Sequence, residues 1–269
     1  FYKRKGKGDS LICLHGFPTS SWDFCQIWDS LTERFDVLVH DLIGLGKSEK
    51  PQLPIPISLQ ADIVENLAIN QGVKKAHILA HDLGDTIAQE LLARQLENKS
   101  KINWLSCVFL NGGIFPETHR PRLIQKLLLS PLGSLVAKIT SESIFRKNMI
   151  AVFSRKHPPS EEFLVESWKL MTEKQGISMI PRLIKYMKER NVNRDRWVTP
   201  LKNSIVPIKL INGIEDPISG IHAAKRFAEV ISHADIKYLK NVGHYPHVET
   251  PKKVLEAIFE FHDQLSVKY

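Results

Sequence analysis

The stretch Ala76-His77-Ile78-Leu79-Ala80-His81-Asp82-Leu83-Gly84 decides the fold. An apolar run ends abruptly in His81-Asp82, and a helical pattern opens behind it. Ile87, Ala88, Leu91, Leu92 and Ala93 then share one broad helix face. Ala80 and Gly84 are small where a strand would have to turn sharply into a helix and pack closely against it. Asp82 stands at the tip of that turn. A plainer use for Asp82 or Asp85 is to cap the helix, and of the two Asp85 is the better pure cap.

Working outward, five more short apolar runs end in the same way. Leu11–Leu14 ends at His15-Gly16, Val37–Val39 before Asp41, and Leu105–Leu110 at Asn111-Gly112-Gly113. Ile208–Ile211 ends at Asn212-Gly213, and Ile236–Leu239 near Gly243-His244. Helical patterns over 58–71, 86–95, 223–231 and 251–265 fall between or after them. Strand and helix in alternation predict an α/β fold with a parallel sheet, because parallel strands need long crossovers. Residues 114–202 break the alternation with helical signal alone. The expected organisation is one core domain, 1–113 and 203–269, interrupted by a helical cap, 114–202.

Ligands of such sheets bind beyond the carboxyl ends of the strands. The residues there include His15, Asp41, Asp82, Asn111, Asp216 and His244. Asp82, Asp216 and His244 fall in the chain order nucleophile, acid, histidine.

His15-Gly16-Phe17-Pro18, Asp41-Leu42-Ile43-Gly44-Leu45-Gly46-Lys47-Ser48 and His81-Asp82-Leu83-Gly84 together resemble the α/β-hydrolase family. Within it they are most similar to the branch of epoxide hydrolases and haloalkane dehalogenases. Asp82-Leu83-Gly84-Asp85 with Ala88–Leu92, and Asn111–Pro121, resemble the mesoderm-specific transcript proteins and their bacterial relatives. The resemblance covers nearly the whole chain and is weakest in the insertion. The family's leading strand is largely missing ahead of Phe1, so the start is expected to omit native residues.

The resemblance implies Asp82 as nucleophile, Asp216 rather than Glu215 as acid, and His244 as base. It implies backbone N–H groups of Phe17 and Leu83 as the oxyanion hole. Where some dehalogenases carry the acid, this chain has Asn111. A carboxylate nucleophile suits attack on saturated carbon, through an alkyl ester that His244-activated water then hydrolyses. Epoxide hydrolases protonate the ring oxygen with cap tyrosines, and the insertion offers one, Tyr186, with Tyr245 beside the base. Leu83 stands where haloalkane dehalogenases place a halide-binding Trp, and the Arg that follows the nucleophile in fluoroacetate dehalogenases is missing. Epoxide opening therefore leads, with dehalogenation, ester hydrolysis and a non-catalytic ligand-binding scaffold as alternatives. His15, His81, Tyr186 and Tyr245 are the candidate substrate contacts. No cofactor is expected. His244 and His247 flank Pro246 and show no third ligand, so no metal is expected either. The Asp41–Gly46 turn lacks the pattern of a phosphate loop.

Composition agrees with this picture. With 269 residues, 43% hydrophobic and 25% charged, the chain reads as globular, not disordered or disulfide-dense. No run of apolar residues is long enough for a membrane span. Cys13, Cys25 and Cys107 are scattered and odd in number, which predicts a reducing, cytoplasmic setting. The net charge of +8 raises nucleic acid as a partner, but no recognition motif supports it. Residues 114–202 hold 17 Lys+Arg against 8 Asp+Glu, so the basicity belongs to the insertion. Arg182, Lys185, Lys188, Arg190, Arg194 and Arg196 are its densest cluster. They are expected either to form a solvated helix face or to draw an anionic small-molecule substrate or membrane surface.

Overall fold

The computed structural model describes residues 1–203 and 205–266. Seven strands form one sheet: β1 (Tyr2–Lys5), β2 (Ser10–Leu14), β3 (Asp36–His40), β4 (Lys75–Ala80), β5 (Asn103–Phe109), β6 (Ile208–Gly213) and β7 (Asp235–Leu239). Their spatial order is β1-β3-β2-β4-β5-β6-β7, and every pair is parallel except β1 with β3. The six apolar runs are β2 to β7. Interior strands such as β2 and β6 are buried almost throughout because helices cover both faces. β1, Tyr-Lys-Arg-Lys, escaped the sequence reading: all four residues are exposed, so no apolar signal marks them. Lysine and arginine on an edge strand also discourage further strands from pairing there.

Helices α1 (Trp28–Arg34), α2 (Ile57–Asn70) and α3 (Leu83–Leu96) link the first strands. The insertion between β5 and β6 holds α4 (Leu123–Leu129), α5 (Gly133–Lys138), α6 (Glu142–Ile150), α7 (Glu161–Thr172), α8 (Ile180–Leu183), α9 (Tyr186–Val192) and α10 (Arg194–Lys202). Then come α11 (Ile221–Val230), α12 (Pro246–Glu249) and α13 (Pro251–Ser266). Phe145, Met149, Ile180, Leu183 and Trp197 of the insertion join the same apolar cluster as Leu14, Ile78 and Phe109 of the sheet. The hydrophobic effect therefore presses the insertion onto the carboxyl ends of the strands.

The basic stretch of the insertion is mostly consumed in holding it there. Arg196 pairs with Glu90 and Glu97 of the α3 end, and the Trp197 indole donates to Glu90 at 2.7 Å. Arg194 pairs with Glu117, which also meets Arg226 of α11. Arg182 donates to Gln52 at 2.8 Å. Lys185 and Lys188 stay exposed, and Arg190 is buried. The cluster is neither one solvated face nor one continuous docking patch.

The β4–α3 junction is under a tight local constraint. Gly84 donates to the carbonyls of His81 and His15, at 2.8 and 3.1 Å. A Cβ at Gly84 would collide with the Leu14 carbonyl oxygen, a backbone atom that cannot swing aside. Gly84→Ala is expected to cost about 3 kcal/mol of stability, through overpacking of a rigid site. Urea unfolding reads this, and an unchanged midpoint would contradict the account.

Candidate active site

β4 ends at Ala80 and α3 begins at Leu83, so Asp82 occupies the bend between them. Its φ of 49° lies in the positive range that non-glycine residues rarely adopt. Such strain persists where the surroundings over-determine it, and here it aims the carboxylate out of the sheet. Neither capping role holds. The Asp82 side chain makes no cap hydrogen bond, and both Asp85 oxygens are buried without a partner among the described residues. Burial accordingly pushes the Asp85 carboxyl well up, with the Asp82 charge adding to the effect.

The loops after β4, β6 and β7 bring Asp82, Asp216 and His244 together. His244 Nδ1 lies 2.8 Å from Asp216 Oδ2. A carboxylate can only accept, so Nδ1 carries the proton and Nε2 is left for proton transfer. Asp216 also accepts from the Ile218 amide at 2.7 Å, Ser219 Oγ at 2.6 Å and Asn111 Nδ2 at 3.0 Å. Burial opposes its ionisation, but His244 and these donors hold its carboxyl far below the usual range. Burial likewise opposes the charge on His244, yet the Asp216 and Asp82 carboxylates outweigh it and raise the imidazole to about 9.

Asp82 Oδ2 accepts the Phe17 amide at 3.0 Å. The other expected donor, Leu83, opens α3 and makes no hydrogen bond to the Asp82 side chain among the described residues. Burial works against the Asp82 charge, but His244 and Arg190 hold its carboxyl below the usual value. One nucleophile oxygen is therefore already seated on a hole amide, while Oδ1 is not.

The structure corrects two of the four candidate substrate contacts. His15 donates through Nδ1 to the Gly16 carbonyl at 2.7 Å and accepts the Leu42 amide on Nε2 at 2.9 Å. Both ring nitrogens are spent on backbone, so His15 braces the loops that carry Phe17 and Asp41. His81 Nε2 donates to the His244 carbonyl at 2.8 Å, which fixes the histidine loop instead of facing substrate. Tyr245 does line the cavity and stacks on Phe153, with ring centroids 5.0 Å apart. Tyr186 is 2% exposed, and its hydroxyl makes no hydrogen bond among the described residues. Burial and the nearby Asp82 carboxylate push that hydroxyl up, so it stays protonated.

Several supports were not legible in the chain. Asn111, noted only as unable to replace the acid, accepts the Gly213 amide at 2.7 Å while donating to Asp216. Glu249 accepts from the amides of Gly243, Ser154 and Tyr245, so one carboxylate fastens the His244 loop to the insertion. Arg190, grouped by composition with the surface cluster, is 2% exposed and reaches the nucleophile. Its Nη2 donates to the Asp82 carbonyl at 2.9 Å, and its Nε donates to Thr86 Oγ1 at 2.7 Å. No periodicity separates such an arginine from its solvated neighbours.

A metal donor set differs from the pair considered in the sequence. His247 groups with Asp23 and His81, not His244, and the ligand atoms of the three lie within 4.8 Å of one another. All three residues are fully buried, and Asp23 Oδ1, His81 Nδ1 and both His247 nitrogens lack partners among the described residues. Burial raises the Asp23 carboxyl to about 8.

Asp82 and His244 open onto a cavity of about 120 Å³ between sheet and insertion. Phe17, Ile144, Phe145, Met149, Ile177 and Ile218 give it an apolar wall, with Gln125, Asn148 and Arg122 as polar points.

The profile of the alpha/beta hydrolase family matches residues 11–257, and the chain belongs to that family. It is 36% identical to the mesoderm-specific transcript protein of Mus musculus over 266 residues, which span 95% of this chain and 79% of that protein. Among solved structures, it is similar to haloalkane dehalogenase DbeA from Bradyrhizobium elkani, with a TM-score of 0.84 and 20% identity, covering 100% of this chain and 95% of that one. It is also similar to the epoxide hydrolase CorEH, with a TM-score of 0.79 and 19% identity, covering 98% and 94%. At those identities the two structures speak for the fold alone.

Proposed function

We propose that this protein hydrolyses a small, largely apolar substrate through a covalent ester on Asp82, with an epoxide as the substrate class. The observation that carries this reading is the carboxylate at the strand–helix bend with one oxygen on the Phe17 amide. A serine there would attack acyl carbon, whereas a carboxylate attacks saturated carbon and becomes an ester itself. Asp82 Oδ1 displaces the ring oxygen, and that oxygen takes its proton from Tyr186. His244, steadied by Asp216, then activates water to attack the Asp82 carboxyl carbon. The charge that develops falls on Oδ2, where Phe17 N–H already sits. The insertion acts as a cap that excludes bulk water and shapes the pocket.

The largely apolar cavity wall favours a small neutral substrate over an anionic one. The three cysteines are all free, which supports the expected reducing, cytoplasmic setting. Among the described residues, no helix is long and apolar enough to cross a membrane.

A panel of epoxides, haloalkanes and esters tested against wild type and Asp82→Ala decides the class. Turnover of epoxides by wild type alone is expected, and ester turnover that survives in Asp82→Ala would sink the reading. Tyr186→Phe is expected to lower kcat/KM for epoxides about a hundredfold, the usual scale for a lost general acid. An unchanged value would remove Tyr186 from the mechanism.

The pH profile carries a sign. His244 must be neutral to activate water, and in the free protein the Asp216 and Asp82 carboxylates hold it at about 9. Ester formation erases the Asp82 charge, so the imidazole becomes more acidic in the intermediate. With ester hydrolysis rate-limiting, kcat is expected to rise with pH and level off below 9, while kcat/KM shows no matching limb. A kcat limb at 9 or above would contradict this coupling.

A further inference from the structure

Arg190 brings a cation to the nucleophile and does not use all of it. Its Nη2 is 3.8 Å from Asp82 Oδ1 and bonds the Asp82 carbonyl, but Nη1 is buried with no hydrogen bond among the described residues. The Tyr186 hydroxyl and both His119 ring nitrogens are buried and unpartnered in the same sense. These groups are neighbours. The guanidinium carbon lies 4.6 Å from the Tyr186 ring centroid. A Cβ on Gly113 would overlap Arg190 Nη1 and come within 3.1 Å of His119 Nδ1, so both groups pack against the same glycine. Buried donors left unmade are costly, and a set of this kind calls for an acceptor carrying negative charge.

We propose that Arg190 Nη1, with His119 and Tyr186, forms a site for a small monovalent anion that fills when Asp82 gives up its charge. The proposal rests on Asp82 being the nucleophile. As Asp82 Oδ1 bonds to the substrate carbon, the bond from that carbon to the leaving atom breaks and its electron pair goes to the leaving atom. Asp82 becomes a neutral ester, and Arg190 loses its counter-charge. The displaced charge is then held beside Arg190, on the leaving atom or, once Tyr186 has given up its proton, on the phenolate. Total charge in the site is conserved through the step.

Asp82→Asn reproduces the neutral state without any substrate, and bromide is the probe. Bromide is located by anomalous diffraction from soaked crystals, and its affinity is read by titration of tryptophan fluorescence. Bromide is expected against Arg190 Nη1 in Asp82→Asn, with binding about tenfold or more weaker in wild type, where the carboxylate competes for the cation. Arg190→Gln on the Asp82→Asn background should abolish the site, while Arg190→Lys should retain most of the affinity. Equal affinity in wild type and Asp82→Asn, or no bromide at Arg190 in Asp82→Asn, would overturn the proposal whether or not the Arg190 variants fold. Trapping of the wild-type ester by mass spectrometry is scored separately. An ester without a bromide site sinks the anion site alone, and a bromide site without an ester sinks the nucleophile reading instead.

Discussion

Asp82→Asn is expected to lower kcat about ten-thousandfold or more with the fold retained, the scale seen when an attacking group is removed outright. Asparagine keeps an oxygen acceptor for the Phe17 amide and tolerates positive φ better than most residues, so the strained bend can persist. What it loses is the nucleophile. The strand–helix junction, the hole amide, the Asp216–His244 pair and the apolar cavity all remain. A scaffold that merely binds ligand in this cavity would keep its affinity, and an esterase using another nucleophile would keep its rate. Substrate affinity within a few-fold of wild type, combined with collapse of turnover, isolates the chemical role of the carboxylate. Steady-state kinetics beside a direct binding measurement gives both numbers, and turnover within tenfold of wild type would refute the assignment.

His244→Gln is expected to separate the two half-reactions. The first needs Asp82 and a proton for the leaving group, and His244 supplies neither. The second needs a base beside the ester. The variant should therefore consume one equivalent of epoxide per protein and stop, with steady-state kcat down by about a thousandfold or more, as for loss of a general base. Intact-mass spectrometry should show the protein heavier by the whole substrate, and peptide mapping should place the adduct on Asp82. Wild type under the same conditions should show little adduct. A His244→Gln protein that turns over slowly without accumulating adduct would mean that water attacks the substrate directly.

Much of this arrangement could be read in the chain because it depends on local pattern. The six apolar strands are each followed by a polar residue or glycine, and this pattern alone places Asp82, Asp216 and His244 at one edge of a sheet. Ala80 and Gly84 marked the sharp turn through the demand for small side chains. What stayed hidden depended on long-range packing or on a change of environment at fixed composition. β1 has no apolar residue pattern to reveal it. Arg190 has the same side chain as Arg194 and Arg196, and only its position on α9 against Thr86 and Asp82 separates a buried cation from two surface ion pairs. His15 and His81 sit inside the motifs that carry the chemistry, yet both ring nitrogens of His15 and Nε2 of His81 serve the backbone. Glu249 acts across almost a hundred residues on the Ser154 amide, a pairing with no local signature.

The central claim, that water attacks the enzyme and not the substrate, is tested most directly by a single turnover in heavy-oxygen water with protein in excess over an epoxide. The oxygen added to the product should come from Asp82, so the first diol formed should carry no label and the peptide containing Asp82 should gain one heavy oxygen. Heavy oxygen in the first-turnover diol, with an unlabelled Asp82 peptide, would contradict the covalent mechanism.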